Sequence, residues 1–273
     1  MLTRRIPSSG EAVPAIGLGT WQAFDVDRHG AQRAPLDDVL STFAALGGTL
    51  VDSSPMYGRA EEVVGDIAAS LKLRPPLFIA TKVWISGKTE GRRQMDDSFR
   101  KLQAPVMDLM QVHNLRDAAT HLETMRAWKD EGRVRYIGVT HYTAAAHEAL
   151  ARAIESQPLD FVQVNYSVGE REAEERLLPL ALERGVAVIA NRPFASGDLI
   201  ERLRNKPLPP WAAEVDCTSW PQLLLKFVVS HPAITCAIPA TSNVAHLRDN
   251  MAAGMGRFPD ERQRGEIASA AAA

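Results

Sequence analysis

Four residues of this sequence could together move a proton: Asp52, Tyr57, Lys82 and His113. Asp52, Lys82 and His113 each stand at or near the C-terminal end of a short apolar run, and Tyr57 follows just after the first of those runs. A phenol ionises near pH ~10, too high to be a ready acid–base group at neutral pH. An ammonium ~4 Å away contributes about 4 kcal/mol at an effective dielectric of ~20, which predicts that Lys82 lowers the Tyr57 pKa by roughly three units. A carboxylate paired with the lysine keeps it charged despite burial, and Asp52 is placed to be that partner. A neutral His113 can hydrogen-bond a substrate oxygen and orient it. Together they make a positioned general acid for a developing alkoxide. Singly, each also has a plain structural reading: a turn cap, a loop aromatic, a core histidine. A lysine inside a buried strand is the hardest to read that way, because an unpaired buried charge is costly.

The elements that must position them can be read from hydrophobic periodicity. Eight apolar runs, rich in Val and Ile, occupy 16–20, 49–53, 77–83, 107–113, 134–140, 160–166, 186–191 and 234–240. They are nearly continuous in apolar character, as strands buried on both faces should be. Between them lie helical stripes, such as Leu36, Val39, Leu40 and Phe43, or Val63, Val64, Ile67 and Leu71. Gly47, Gly132 and Gly185 stand where helices should stop, and Thr143, Ser219 and Asn243 where helices should be capped. Alternating strand and helix predicts an α/β fold, a (β/α)₈ TIM barrel forming one domain over residues 1–273. An open doubly wound sheet is less well supported, because no Gly-rich phosphate-binding turn follows the first run. Residues 1–15 are expected to form a hairpin or plug under the barrel. The stretch 193–218 is long for a barrel connection and belongs on the C-terminal face, where active sites are built. Residues 258–268 read as one further helix, and the alanine tail 269–273 is given no role.

Composition narrows the classes. The chain has 273 residues, 45% of them hydrophobic, and a formal net charge of −2, so no global field favours nucleic acid or an anionic membrane. The first residues lack an apolar signal core, and no apolar stretch approaches the ~20 residues of a membrane span. A soluble cytoplasmic protein is expected, monomeric rather than oligomeric, with Cys217 and Cys236 as buried thiols. His29, His113, His121, His141 and His147 show no paired spacing at strand ends, so no metal site is expected.

The motifs carry a resemblance. GLGTW at 17–21, VDSSPMYGRAEEVVG at 51–65, ATKVW at 80–84, MDLMQVH at 107–113, WKDEGRVRYIGV at 128–139, FVQVNYS at 161–167 and IPATSNVAHLRDN at 238–250 together resemble the aldo-keto reductases. The spacing of Asp52 and Tyr57, the strand lysine and the histidine, in that order on consecutive strands, are the specific part. The resemblance implies an NAD(P)H-dependent oxidoreductase that reduces aldehydes or ketones, or runs the reverse reaction, on a small carbonyl or alcohol substrate. It implies a catalytic tetrad of Asp52, Tyr57, Lys82 and His113, with Tyr57 donating the proton. A different class stays open: a cofactor-binding regulatory or partner-binding subunit on the same barrel.

For the cofactor, the resemblance places Gln163 at the nicotinamide carboxamide and Asp52 near its ribose. Thr140 and His141 stand where the family usually has Ser-Asn. Asn191 and Arg192 close the seventh run, where the family typically stacks an aromatic on the nicotinamide; Arg192 could reach the pyrophosphate. At the last strand–helix junction, Ala240 and His246 replace the usual cations. Thr241, Ser242 and Asn243 there offer hydroxyl and amide groups and a helix N-terminus suited to phosphate, while Asp249 and Asn250 match adenine-facing positions. NADP(H) is favoured over NAD(H) on family frequency, with both open. Trp21, Phe24, Met56 and Trp84, with His113, are expected to wall an apolar substrate pocket. By the same resemblance, the short C-terminal segment implies an open, permissive site.

Overall fold

The computed structural model describes residues 1–27, 30–73 and 77–272, so His29 and Ala273 lie outside the described residues. An antiparallel hairpin of β1 (Thr3–Arg5) and β2 (Ala12–Pro14) comes first. Eight parallel strands follow: β3 (Leu18–Gly19), β4 (Leu50–Asp52), β5 (Phe78–Val83), β6 (Met107–His113), β7 (Val134–Thr140), β8 (Phe161–Asn165), β9 (Ala187–Asn191) and β10 (Ile234–Ala237). They pair in chain order. The sheet closes on itself where Gly17 N–H donates to Ala237 O at 2.8 Å and Ala237 N–H to Ala15 O at 2.8 Å. The predicted barrel is the observed one.

Helices α1 (Ala34–Ala45), α2 (Ala60–Ser70), α3 (Lys88–Lys101), α4 (Ala118–Asp130), α5 (His147–Ser156) and α6 (Leu177–Glu183) follow β3 to β8 in turn. The next, α7 (Asp198–Leu203), is an extra helix in the long connection, before α8 (Trp220–Val229) and α9 (Val244–Ala252) complete the ring. Their apolar stripes and the outward faces of the strands make one continuous core. Ser219 and Asn243 cap α8 and α9 with side-chain oxygens as predicted. Thr143 does not: its hydroxyl makes no cap bond, and a 3₁₀ turn over Ala144–Ala146 separates it from α5. The connection 193–218 holds α7 and a 3₁₀ segment at Pro210–Val215.

The last helix, α10 (Glu261–Ala272), starts later than predicted and runs through the alanine tail. Asp260 sets its start, its carboxylate accepting from Gln263 N–H at 2.8 Å. The tail has work that its composition hides. Ala271 is buried, and the carbonyls of Ala270 and Ala271 accept from Lys206 and Arg202 of the long connection at 2.8 and 3.0 Å. Cations at a helix C-terminus suit the free carbonyls there.

The two-residue period of the strands sorts the barrel interior by height. Leu50, Phe78, Ala80, Leu109, Tyr136 and Phe161 fill the interior, and Ile6 and Val13 of the hairpin join them. Phe78, Tyr136 and Phe161 pack ring against ring at 5.7–6.2 Å. Two residues further along β5 the inward position is Lys82, and along β6 it is Gln111, then His113. Cys236 lies within this interior cluster, and both cysteines are free and buried.

One glycine sets how closely the outer helices pack. A Cβ on Gly65, inside α2, would sit 2.1 Å from Lys101 O and 2.9 Å from Leu102 C at the end of α3. Gly65→Ala is therefore expected to destabilise the protein by about 1–3 kcal/mol through forced separation, despite alanine's better helix propensity. An unchanged urea midpoint would show that α2 and α3 can part freely.

Candidate active site

All four predicted proton-transfer residues meet at the C-terminal end of the barrel. Lys82 is fully buried, and its Nζ donates to Asp52 Oδ2 at 2.6 Å and to Ser53 O at 2.7 Å. The same Nζ lies 4.9 Å from the centre of the Tyr57 ring. Burial acts to strip the ammonium of its proton. The facing Asp52 carboxylate, helped by Tyr57, outweighs that and holds Lys82 above the usual lysine range.

Tyr57 departs from the prediction. Burial is the largest influence and pushes its phenol above the ordinary 10.0; Lys82 pulls the other way without prevailing. The charge partner was readable from the sequence, but the desolvation was not. The consequence is a phenol that keeps its proton at neutral pH.

His113 packs edge-on to Tyr57, with ring centres 5.8 Å apart. Burial first, then the charge of Lys82, lowers its pKa to about 2, so the ring is neutral as predicted. Its Nδ1 lies 2.9 Å from Ser54 Oγ. That hydroxyl accepts from Met56 N–H at 3.3 Å, and Nδ1 is the acceptor within reach of its own proton. We assign the ring proton to Nε2 on this basis, which makes Nε2 a donor.

Ser54 was not singled out by sequence reasoning, and neither was Gln111. Gln163 donates to Asp52 Oδ1 at 2.9 Å and Gln111 to the same oxygen at 3.4 Å, while Thr140 Oγ1 donates to Gln163 Oε1 at 3.1 Å. Gln111 stands two residues before His113 on one strand, so strand alternation could have found it.

A cavity of about 1140 Å³ opens above this network and runs from Trp21, Tyr57 and His113 across the rim to Thr241, Ser242, Asn243, His246, Asp249 and Asn250. Met56, Trp84, Thr140, Gln163, Asn191 and Arg192 line it as well. Phe24 does not. It is 0% exposed and packed in the core, whereas Trp21 is 47% exposed at the mouth. The bond from Phe24 N–H to Thr20 O belongs to a turn that sends the two aromatics different ways.

His141 is also not part of the cavity lining. Its ring stacks on Tyr142 with centres 5.5 Å apart, and its Nδ1 accepts from Tyr142 N–H at 3.0 Å. Tyr142 lines the cavity instead. At the far end, Asn243 Oδ1 already takes the Ala245 and His246 N–H groups at 2.8 and 3.2 Å, so the helix N-terminus predicted for phosphate is capped from within. Asp249 is likewise engaged, accepting from Ser219 Oγ at 2.7 Å and Gln222 Nε2 at 2.6 Å to tie α9 to α8. Arg192 donates to Tyr142 O at 3.2 Å and lies 3.5 Å from Glu170. Among the described residues, no group of three His, Cys, Asp or Glu side chains is placed to hold a metal ion, and no helix is long and apolar enough to cross a membrane.

Known proteins resemble this chain along nearly its whole length. A model described as the aldo/keto reductase family matches residues 15–264. Methylglyoxal reductase YeaE of Escherichia coli strain K12 is 31% identical over 261 residues, covering 92% of this chain and 89% of that protein. An aldo/keto reductase from Klebsiella pneumoniae solved with NADP and acetate is 30% identical, with a TM-score of 0.79 over 94% of this chain and 92% of the other. A second structure from that organism, solved with NADPH, is 28% identical, with a TM-score of 0.80 over 98% and 94%.

Proposed function

This chain belongs to the aldo/keto reductase family and is an oxidoreductase of that type, and we propose that it reduces small aldehydes and ketones with NADPH, Tyr57 delivering the proton. The observation that carries the reading is the buried Lys82–Asp52 pair set against the Tyr57 ring at one end of a rim-spanning cavity. The cofactor supplies a hydride equivalent from its nicotinamide. Everything else is done by side chains of this chain. His113 Nε2 donates to the carbonyl oxygen and fixes its direction. The Tyr57 phenol releases its proton to that oxygen as negative charge develops on it, and the Lys82 ammonium stabilises the phenolate left behind. Asp52, held by Gln163 and Gln111, keeps the lysine charged.

The lining of the cavity offers the donor chemistry a dinucleotide needs. Thr140, Gln163 and Asn191 face the nicotinamide end, and Thr241, Ser242, His246 and Asn250 the adenosine end. NADP(H) is the preferred form on the strength of the two relatives solved with it. α-Dicarbonyls enter the substrate class through the reductase relative named for methylglyoxal. Trp21, Met56, Trp84 and Tyr142 give the mouth an apolar, partly exposed wall. Two free thiols suit a reducing compartment, and we place the enzyme in the cytoplasm as a monomer without nucleic-acid partners.

Purified protein mixed with NADPH or NADH and a panel of aldehydes, ketones and α-dicarbonyls, followed by nicotinamide absorbance, tests this. Turnover of at least one carbonyl is expected, with higher kcat/KM for NADPH. Tight cofactor binding with no turnover on any member of the panel would instead mark a regulatory subunit.

A further inference from the structure

Asn191 closes β9 and lines the cavity. Its Nδ2 donates to His141 O at 3.3 Å. That bond settles which end of the amide is which, because the flipped setting would set oxygen against oxygen. The other end is therefore Oδ1, which is buried and has no partner. A buried acceptor without a donor is costly and rare.

The neighbouring amides do not supply the donor, and Arg192 Nε, itself buried without a partner, makes no bond to it. Gln163, on the adjacent strand, has its Nε2 on Asp52 and its Oε1 on Thr140. Asn165, paired in register with Asn191, takes His147 Nε2 at 3.0 Å. Of the three amides on β8 and β9, only Asn191 keeps an acceptor open. Its attitude is fixed from a second point, since Arg192 next to it donates to Tyr142 O in the same loop that holds the Nδ2.

We propose that Asn191 is a positioning residue for the nicotinamide, its Oδ1 accepting one N–H of the ring carboxamide. This rests on the cofactor reading above. The site then holds the ring by its edge at the place where no aromatic side chain offers a face. The carboxamide suits the position because it brings its own N–H donors, and Gln163 Oε1 is already shared with Thr140.

Titration of intrinsic tryptophan fluorescence with NADP⁺ and with its 3-acetylpyridine analogue, in which a methyl replaces the carboxamide NH₂, tests the assignment. Wild type is expected to bind NADP⁺ about fivefold more tightly than the analogue. In Asn191→Leu the preference is expected to shrink below roughly twofold. Taking the ratio within one protein removes any loosening of the loop, which weakens both ligands alike. Asn191→Ala, which adds no bulk, reads the same ratio should leucine not fit. A wild-type ratio near one, or the full ratio surviving in both variants, overturns the assignment while leaving the cofactor reading intact. Failure of wild type to bind either ligand overturns the cofactor reading and the assignment together.

Discussion

With Tyr57 replaced by phenylalanine, kcat/KM for carbonyl reduction is expected to fall by about 10²–10⁴, a loss of about 3–5 kcal/mol of transition-state stabilisation. The change removes one oxygen and leaves the ring, so the edge contact with His113 and the position over Lys82 survive. Cofactor affinity and thermal stability should stay near wild type, which separates a lost acid from a disturbed cavity. The pH profile gives an independent reading. A phenol whose pKa is raised by burial keeps its proton to higher pH, so reduction should hold level through neutral pH and decline only as pH climbs past 10.0. The reverse oxidation needs the phenolate and should rise with pH over the same range. His113, with its pKa lowered to about 2, adds no inflection between about pH 5 and 8. A wild-type inflection near 6.5 that disappears in His113→Asn would show that the histidine works charged. Near-wild-type turnover by Tyr57→Phe would move the proton source elsewhere.

The contrast between Tyr57 and Lys82 shows what can be read in a sequence and what cannot. A lysine inside an apolar run is conspicuous, and a strand-end aspartate is its obvious partner. The eight runs were legible because strands covered on both faces are apolar at nearly every position. Loops carry no such period. Trp21 and Phe24 stand three residues apart with the same chemistry, and only the turn between them decides which faces the cavity. Caps are a different case: the Asn243 oxygen takes two N–H groups of its own helix, so of that side chain only the amide nitrogen is left to meet a phosphate. Desolvation is the least legible quantity, because it sums over neighbours from every strand. That is why the direction of the Tyr57 shift came out opposite to a pairwise estimate.

Lys82→Met is expected to be costly twice over, and the two costs can be separated. Methionine matches the length of the lysine stem but leaves the Asp52 carboxylate buried with only amide donors from Gln163 and Gln111. Removing one partner of a buried pair typically costs about 3–5 kcal/mol. For a domain of this size that corresponds to a fall in Tm of about 6–20 °C. Activity should fall by at least about 10² as well, because a phenolate forming in the transition state would have no cation beside it. Adding Asp52→Asn removes the stranded charge, so the double variant should recover most of the lost stability. It should recover none of the lost activity, because the ammonium is still missing. Recovery of both would mean that Lys82 serves only to hold Asp52 and the barrel end together. Recovery of stability alone assigns the lysine to the chemistry, since only a group acting on the Tyr57 oxygen is missed once the fold has been repaired.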